Sequence, residues 1–189
     1  MSKLWGGRFT KGTDVMVEKF TASITFDQHM YRGNIAGSIA HARMLAKCGI
    51  ITTDEAETII AGLKGIREDI EAGNFTFDIA LEDIHMNIEK NLTDRIGPVG
   101  GKLHTARSRN DQSVLDSHLF LRQELANIGG LLTELGAALV EVAEKHPDVI
   151  MPGYTHLQRA QPILFAHHML AYFFMLARDF DRLRGCWER

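Results

Sequence analysis

The chain has 189 residues, 45% of them hydrophobic, and a formal net charge of −3. That is enough apolar material for a sizeable core, which excludes a disordered chain, and the slight acidity excludes a general nucleic-acid binder. Cys48 and Cys186 stand far apart and form neither a disulfide framework nor a zinc knuckle.

The N-terminal residues contain no apolar signal segment, and the greasy run from Met169 to Ala177 is short of the ~20 residues that span a bilayer. The expectation is a soluble, cytoplasmic protein with no membrane partner. Residues 1–24 read as irregular, with Trp5-Gly6-Gly7-Arg8-Phe9 as an anchoring arm and a short helix over Val15 to Phe20. Thr25 with Gln28 matches a capping box, and Ile35, Ile39, Ala42 and Ala46 behind it form a stripe at helical spacing that Gly49 stops. Thr52 with Glu55 is a second capping box. Its helix carries Ile59, Leu63, Ile66 and Ile70 and stops at Gly73. A third helix is predicted over Leu81 to Arg95, with Ile84, Ile88 and Leu92 one turn apart and Gly97-Pro98 ending it. Gly100 to Gln112 then reads as a polar loop.

From about Asp111 to His146, Leu121, Leu125, Ile128, Leu132, Leu135, Leu139 and Val142 repeat at alternating four- and three-residue steps. This is a heptad seam on a helix roughly 50 Å long. Gly129-Gly130 within it predict a close backbone neighbour, and Pro147 breaks it. Met151 to Pro162 reads as a second polar loop, with Pro162 in the first turn of a last helix. The seam of that helix is Ala166, Met169, Phe173, Leu176, Phe180, Leu183 and Trp187. No window alternates as a strand would. The expected fold is all-α: a helical N-terminal domain over 1–110, then 111–189 as the start of an antiparallel long-helix bundle. The last helix has no stop signal, so the bundle is expected to be truncated here or completed by partner chains, with self-association through its apolar helices.

Two stretches carry the chemistry. Lys102, His104, Arg107 and Arg109 bring cations beside Thr105, Ser108 and Asn110. Guanidinium groups fork onto carboxylates, hydroxyl and amide fix orientation, and the start of the long helix adds a positive dipole end. A solvated basic turn capped by Ser108 or Asp111 is the plainer reading of the same residues. In Tyr154-Thr155-His156 with Gln158, Arg159 and Gln161, histidine can move a proton near neutral pH and Thr155 can relay a hydrogen bond. A structural histidine in an interhelix loop is the commoner case. Asp83 and His85, in Glu82-Asp83-Ile84-His85, could orient each other or a ligand, although acidic residues in a first helical turn are ordinary capping. Ser23 alone reads as a local hydrogen-bonder. His167 and His168 splay apart on a helix, and no spacing suits a metal.

Leu4-Trp5-Gly6-Gly7-Arg8-Phe9, Glu82-Asp83-Ile84-His85, the run Gly101 to Gln112 and the run Met151 to Pro162 closely resemble the argininosuccinate lyase family of the fumarase/aspartase superfamily. The resemblance covers the whole chain. It implies reversible β-elimination of argininosuccinate to arginine and fumarate, in arginine biosynthesis, with no cofactor and no metal. It also implies a homotetramer in which three chains meet at each active site.

Carried over, His156 and Thr155 are the catalytic candidates. Ser23, Ser108, Arg109, Asn110, Thr155 and Gln161 are substrate contacts for a dicarboxylate bearing a guanidinium. Asp83, His85 and Lys102 support them. The family's third signature, a glycine-serine-serine loop, is absent here, so the chain resembles the front part of such an enzyme and is expected to be inactive alone. Asn34 stands where the family often has an acidic residue. A sister lyase acting on another succinyl compound, or a catalytically silent structural homologue, are the alternatives.

Overall fold

The computed structural model describes residues 12–189, and the arm expected at Trp5-Gly6-Gly7-Arg8-Phe9 lies outside them. Helix α1 (Val15–Thr21) is capped by Asp14, whose carboxylate accepts from the Met16 N–H at 2.8 Å. Helix α2 (Ile24–Asp27) and a single 3-10 turn, Gln28–Met30, lead into α3 (Tyr31–Lys47).

The expected Thr25–Gln28 capping box does not form. Gln28 Nε2 donates instead to the Thr25 carbonyl at 3.0 Å, and the helix already starts at Ile24. The reason is long-range. The backbone N–H groups of Ser23 and Ile24 both donate to the Glu82 carbonyl, at 2.9 and 3.0 Å, so a distant acceptor takes the orphan donors of this helix start.

Helix α4 (Thr53–Glu71) shows the second capping box as expected: Glu55 N–H donates to Thr52 Oγ1 at 3.1 Å, and Thr52 N–H to Glu55 Oε2 at 3.0 Å. Gly49 and Gly73 end α3 and α4 at φ 69° and 74°, a conformation that costs a side chain with a Cβ. Helix α5 (Ile84–Ile96) begins three residues later than expected. Leu81 closes a 3-10 turn, Ile79–Leu81, and Asp83 caps α5 by accepting from Met86 N–H at 2.6 Å.

The core of this region joins Ile35, Ala42 and Leu45 of α3 to Ile59, Leu63 and Ile66 of α4 and Ile84, Ile88 and Leu92 of α5, with Leu103 beyond. Burying each of the large aliphatic side chains contributes roughly 1.5–3 kcal/mol. Ile39, Ala46 and Ile70 pack half-buried at its margin.

After α5 the chain winds through a 3-10 run, Gly97–His104, into α6 (Arg109–Lys145), a helix of 37 residues. Much of the expected polar loop is therefore helical. The chain divides into two compact units, one reaching to Phe120 and the other Leu121–Arg189, and α6 runs through the boundary.

In the second unit the expected polar loop is a β-hairpin. β1 (Ile150–Thr155) pairs antiparallel with β2 (Gln158–Leu164), in the register Ile150 to Leu164, Pro152 to Pro162 and Thr155 to Gln158. An irregularity between Pro152 and Tyr154 shifts that register by one residue. Pro162 thus lies in a strand, and α7 (Phe165–Trp187) starts three residues after it. A two-stranded ribbon has no central strand, so both prolines can sit where no ladder donor is needed.

Helices α6 and α7 meet where Gly129 faces Phe180 and Gly136 faces Phe173, with space for a Cβ at an ordinary contact of 3.5 Å. Nothing lies within 4 Å of a Cβ at Gly130, so the close backbone neighbour expected at this pair is not found among the described residues. Along the α6 seam Leu125, Leu132 and Leu139 are half-buried, while Leu121, Ile128, Leu135 and Val142 are exposed. By length and composition α6 could cross a membrane. Its apolar residues nevertheless follow the three-four repeat of a bundle seam, with Arg122, Glu124, Glu134 and Glu141 between them. The fold is all-α with one small hairpin.

Candidate functional site at the start of the long helix

Ser108 caps α6. Its Oγ accepts from Asn110 N–H at 3.2 Å, while its own N–H donates to Asp111 Oδ2 at 3.2 Å. This is the reciprocal arrangement of a capping box, with Asp111 in the place usually held by glutamate. The Ser108 hydroxyl is a lone-pair acceptor in this cap, so its proton remains available to a ligand. Asn110 lies beside it, exposed, and its side-chain amide has no partner among the described residues.

Ser23 has the opposite polarity. Its hydroxyl donates to Asp27 Oδ2 at 2.5 Å, which leaves the Ser23 oxygen free to accept. Asp27 is buried, and its other oxygen accepts from Ile84 N–H at 3.2 Å. Burial raises the Asp27 carboxyl above its ordinary range, and the Ser23 hydrogen bond opposes that rise. Through Ile84 this arm reaches Asp83, which both caps α5 and pairs with Arg109 Nε at 3.2 Å.

The cations do not point outward together as the sequence suggests. Arg109 is held by Asp83, by Gln112 Oε1 at 2.6 Å and by Glu89 at 3.7 Å. Arg107 donates to Ser38 Oγ at 2.9 Å, and burial lowers its pKa. Lys102 turns away onto Glu55, and no contact joins it to Asp83, His85 or Arg109. His104 Nδ1 lies 3.9 Å from Glu89. The groups left for a ligand are therefore hydroxyl and amide, with Arg109 as a braced cation behind them.

Beneath this surface lies a buried polar cluster that sequence reading missed. Asn34 Nδ2 sits 2.6 Å from His85 Nδ1 and 2.9 Å from Asp116 Oδ2, and His85 Nε2 is 3.3 Å from Ser113 Oγ. Burial pushes Asp116 up to about 6 and His85 down to about 4. His85 is therefore neutral at neutral pH, and its 3.3 Å approach to Asp116 is not an ion pair. A signal was present in the sequence: Asn34 with Ser38, and Gln112 with Asp116, are polar pairs at i,i+4 spacing whose members are all buried.

The second unit presents its candidates differently. Thr155, His156 and Gln161 are exposed, and their side chains have no partner among the described residues. His156 and Leu157 form the two-residue turn of the hairpin at φ 50° and 62°, the backbone of a type I′ turn, which normally carries Asn-Gly. Among the described residues the non-glycine positions with positive φ are Glu82, Ala106, His156 and Leu157. All four fall in motifs that carry the family resemblance: Glu82 in Glu82-Asp83-Ile84-His85, Ala106 in Gly101 to Gln112, and His156 and Leu157 in Met151 to Pro162. Strain of this kind persists where the surrounding structure enforces it, and it collects at functional positions.

A sequence model of the family described as Lyase matches residues 7–189. The argininosuccinate lyase of Heliobacterium mobile is 63% identical over 187 residues, 99% of this chain and 41% of that protein. The one from Moorella thermoacetica is 60% identical over 99% of this chain and 40% of its own length. The chain thus spans about two fifths of the curated relatives it matches.

Among solved structures, EDDS lyase in complex with formate is 32% identical with a TM-score of 0.72, covering 85% of this chain and 31% of that one. A fumarate lyase/delta crystallin from Brucella melitensis shares the fold at 19% identity and a TM-score of 0.72, over 87% of this chain and 42% of that one. With the family match running through nearly all of its length, the chain belongs to the lyase family.

Proposed function

We propose that this chain is the front part of a carbon–nitrogen lyase of the argininosuccinate lyase type. In this reading the enzyme is cytoplasmic, works as a homotetramer, and releases fumarate from argininosuccinate to leave arginine. The identity of 63% and 60% to two proteins of that name supports the substrate. The single structural observation that carries the reading is the opposite polarity of Ser108 and Ser23. Ser108 has a proton to give to a carboxylate, and Ser23 has lone pairs to give to a guanidinium or ammonium group. A substrate with a dicarboxylate at one end and cationic groups at the other uses both.

In the elimination, a base takes the proton on the carbon beside a carboxylate, and the electron pair resides on that carboxylate as an oxyanion. The carbon–nitrogen bond then breaks as the double bond of fumarate forms, and the leaving guanidinium nitrogen receives a proton. Donors already aimed at the oxyanion lower this barrier because they need no reorganisation. Ser108 and Asn110, at the positive end of α6, take that part, with Arg109 held in place by Asp83 and Gln112. His156, beside Thr155, takes part in the proton transfer, as its residue type and exposed position suit. Gln161 adds an amide contact. Asp83 and His85 act behind these residues.

The test is fumarate release, followed by ultraviolet absorbance, in the full-length protein that contains these residues. His156→Asn is expected to lower kcat by about 10² to 10⁴. Ser108→Ala should lower kcat/KM by about 10². Unchanged turnover in both variants would overturn the reading. Profiling against several succinyl adducts decides the substrate, and a preference for any compound other than argininosuccinate would favour a sister lyase.

A further inference from the structure

The buried cluster under α5 and α6 has a hydrogen-bond logic of its own, independent of the lyase reading. One nitrogen, Asn34 Nδ2, lies within reach of two acceptors, His85 Nδ1 at 2.6 Å and Asp116 Oδ2 at 2.9 Å. An ionised carboxylate has no proton to give, so only the NH2 face of the amide can meet it. Turning the amide over would set its oxygen against Asp116 Oδ2 in a site with no exposure, where unpaired acceptors are costly. With the NH2 group facing both partners, a proton on His85 Nδ1 would collide with an amide hydrogen.

From this we infer that Asn34 and Asp116 are positioning residues for His85: Asp116 sets the face of the Asn34 amide, and Asn34 in turn places the imidazole proton on Nε2, towards Ser113. The consequence reaches the surface. A cationic His85 would compete for Asp83, which lies close enough to act on it electrostatically. A neutral ring leaves Asp83 to Arg109. The other charged and titratable groups around the ring are Arg107 and Arg109, which disfavour a cation there, and Glu89 and His104, which line the same small cavity. Asp116 Oδ1 has no hydrogen-bond partner among the described residues, where this carboxylate is met by Asn34 and by the field of Arg107 and Arg109.

Nitrogen-15 NMR of histidine-labelled chain tests this directly. The chain has nine histidines, and His85→Gln identifies the resonance by its loss. At about pH 7 to about pH 8, above the range in which Asp116 takes up its proton and where an unperturbed histidine is still titrating, His85 should keep an unprotonated Nδ1 and a protonated Nε2. Asn34→Asp, which replaces the donor by an acceptor, should move the proton to Nδ1 and raise the titration midpoint of the ring. Asp116→Asn, which offers either an oxygen or an NH2 group to Asn34, should no longer fix the amide face and should let a fraction of the rings carry the proton on Nδ1. A wild-type ring protonated on Nδ1 would overturn the inference; the tautomer is read on the wild-type chain, and His85→Gln serves only to assign its resonance. An Asn34→Asp ring identical to wild type would overturn it equally.

Discussion

The two units of this chain handle their apolar residues in opposite ways. The first buries Ile35, Leu45, Ile59, Leu63, Ile66, Ile84, Ile88 and Leu92 to less than 2% exposure. In the second, Ala143 is the one buried hydrophobic residue, while Leu121, Leu131, Leu135, Tyr172 and Phe174 stay 46% exposed or more. Both units are rich in leucine and isoleucine, so composition does not explain the difference. Arrangement does. Helices α3, α4 and α5 are short enough to fold back on one another around a common centre, whereas α6 and α7 offer seams on more than one side and each can cover only one side of the other. The lesson is that a heptad repeat states how many neighbours a helix wants, not how many it has.

The sharpest break of this contrast is a matched pair of truncations. Leu63→Ala should cost about 2–5 kcal/mol in urea unfolding, because it removes a fully buried side chain and leaves a cavity. Leu131→Ala, at a site 64% exposed, should stay within about 0.5 kcal/mol. Equal losses would show that the second unit is covered in solution.

The next effect concerns charge inside the first unit. Asp116 is raised from 3.8 to about 6, so the folded chain holds that proton more tightly than the unfolded chain, and its contribution to stability is lost as pH rises through that window. His85 is lowered from 6.5 to about 4, so the unfolded chain binds its proton first and stability is lost as pH falls from 6.5 towards 4. The two slopes oppose each other between about 4 and about 6. Asp116→Asn should therefore uncover a stability that rises with pH across this window. His85→Gln should uncover one that falls. Urea midpoints measured at several pH values check both signs, and parallel profiles for the two variants would refute the assignment.

Smaller effects follow at the backbone. Gly100→Ala should cost about 1–3 kcal/mol, because its Cβ would stand 2.9 Å from the Thr93 Cα, a backbone atom that cannot swing aside. Thr52→Ala should cost about 1 kcal/mol by removing one half of the capping box, read as a shift in thermal midpoint.

These residues also show what was legible beforehand. The Thr52–Glu55 box, the stops at Gly49 and Gly73 and the α4 stripe were readable because each depends on residues a turn or less apart. The Thr25–Gln28 box failed because the competing acceptor, the Glu82 carbonyl, lies far away in sequence. The cations of the first polar stretch were misread for the same reason: Ser38, Glu55 and Asp83 cannot be known as their partners from local spacing. The hairpin was missed because two prolines interrupt it, its residues do not alternate, and its turn lacks glycine and asparagine. Of the candidate residues, the capping of Ser108 and the local hydrogen bond of Ser23, to Asp27 one turn on, match the plainer readings of the sequence, whereas the Asn34–His85–Asp116 cluster was not foreseen.

On the role proposed for His156, the turn at His156-Leu157 sets folding and chemistry against each other. Two side chains with Cβ atoms occupy positions made for glycine or asparagine, at roughly 1–2 kcal/mol each. Leu157 is 98% exposed and recovers none of this by burial in the chain. A library of this protein screened only for heat resistance should therefore drift towards Asn-Gly at these two positions. Its winners would have a better hairpin and no histidine at the tip.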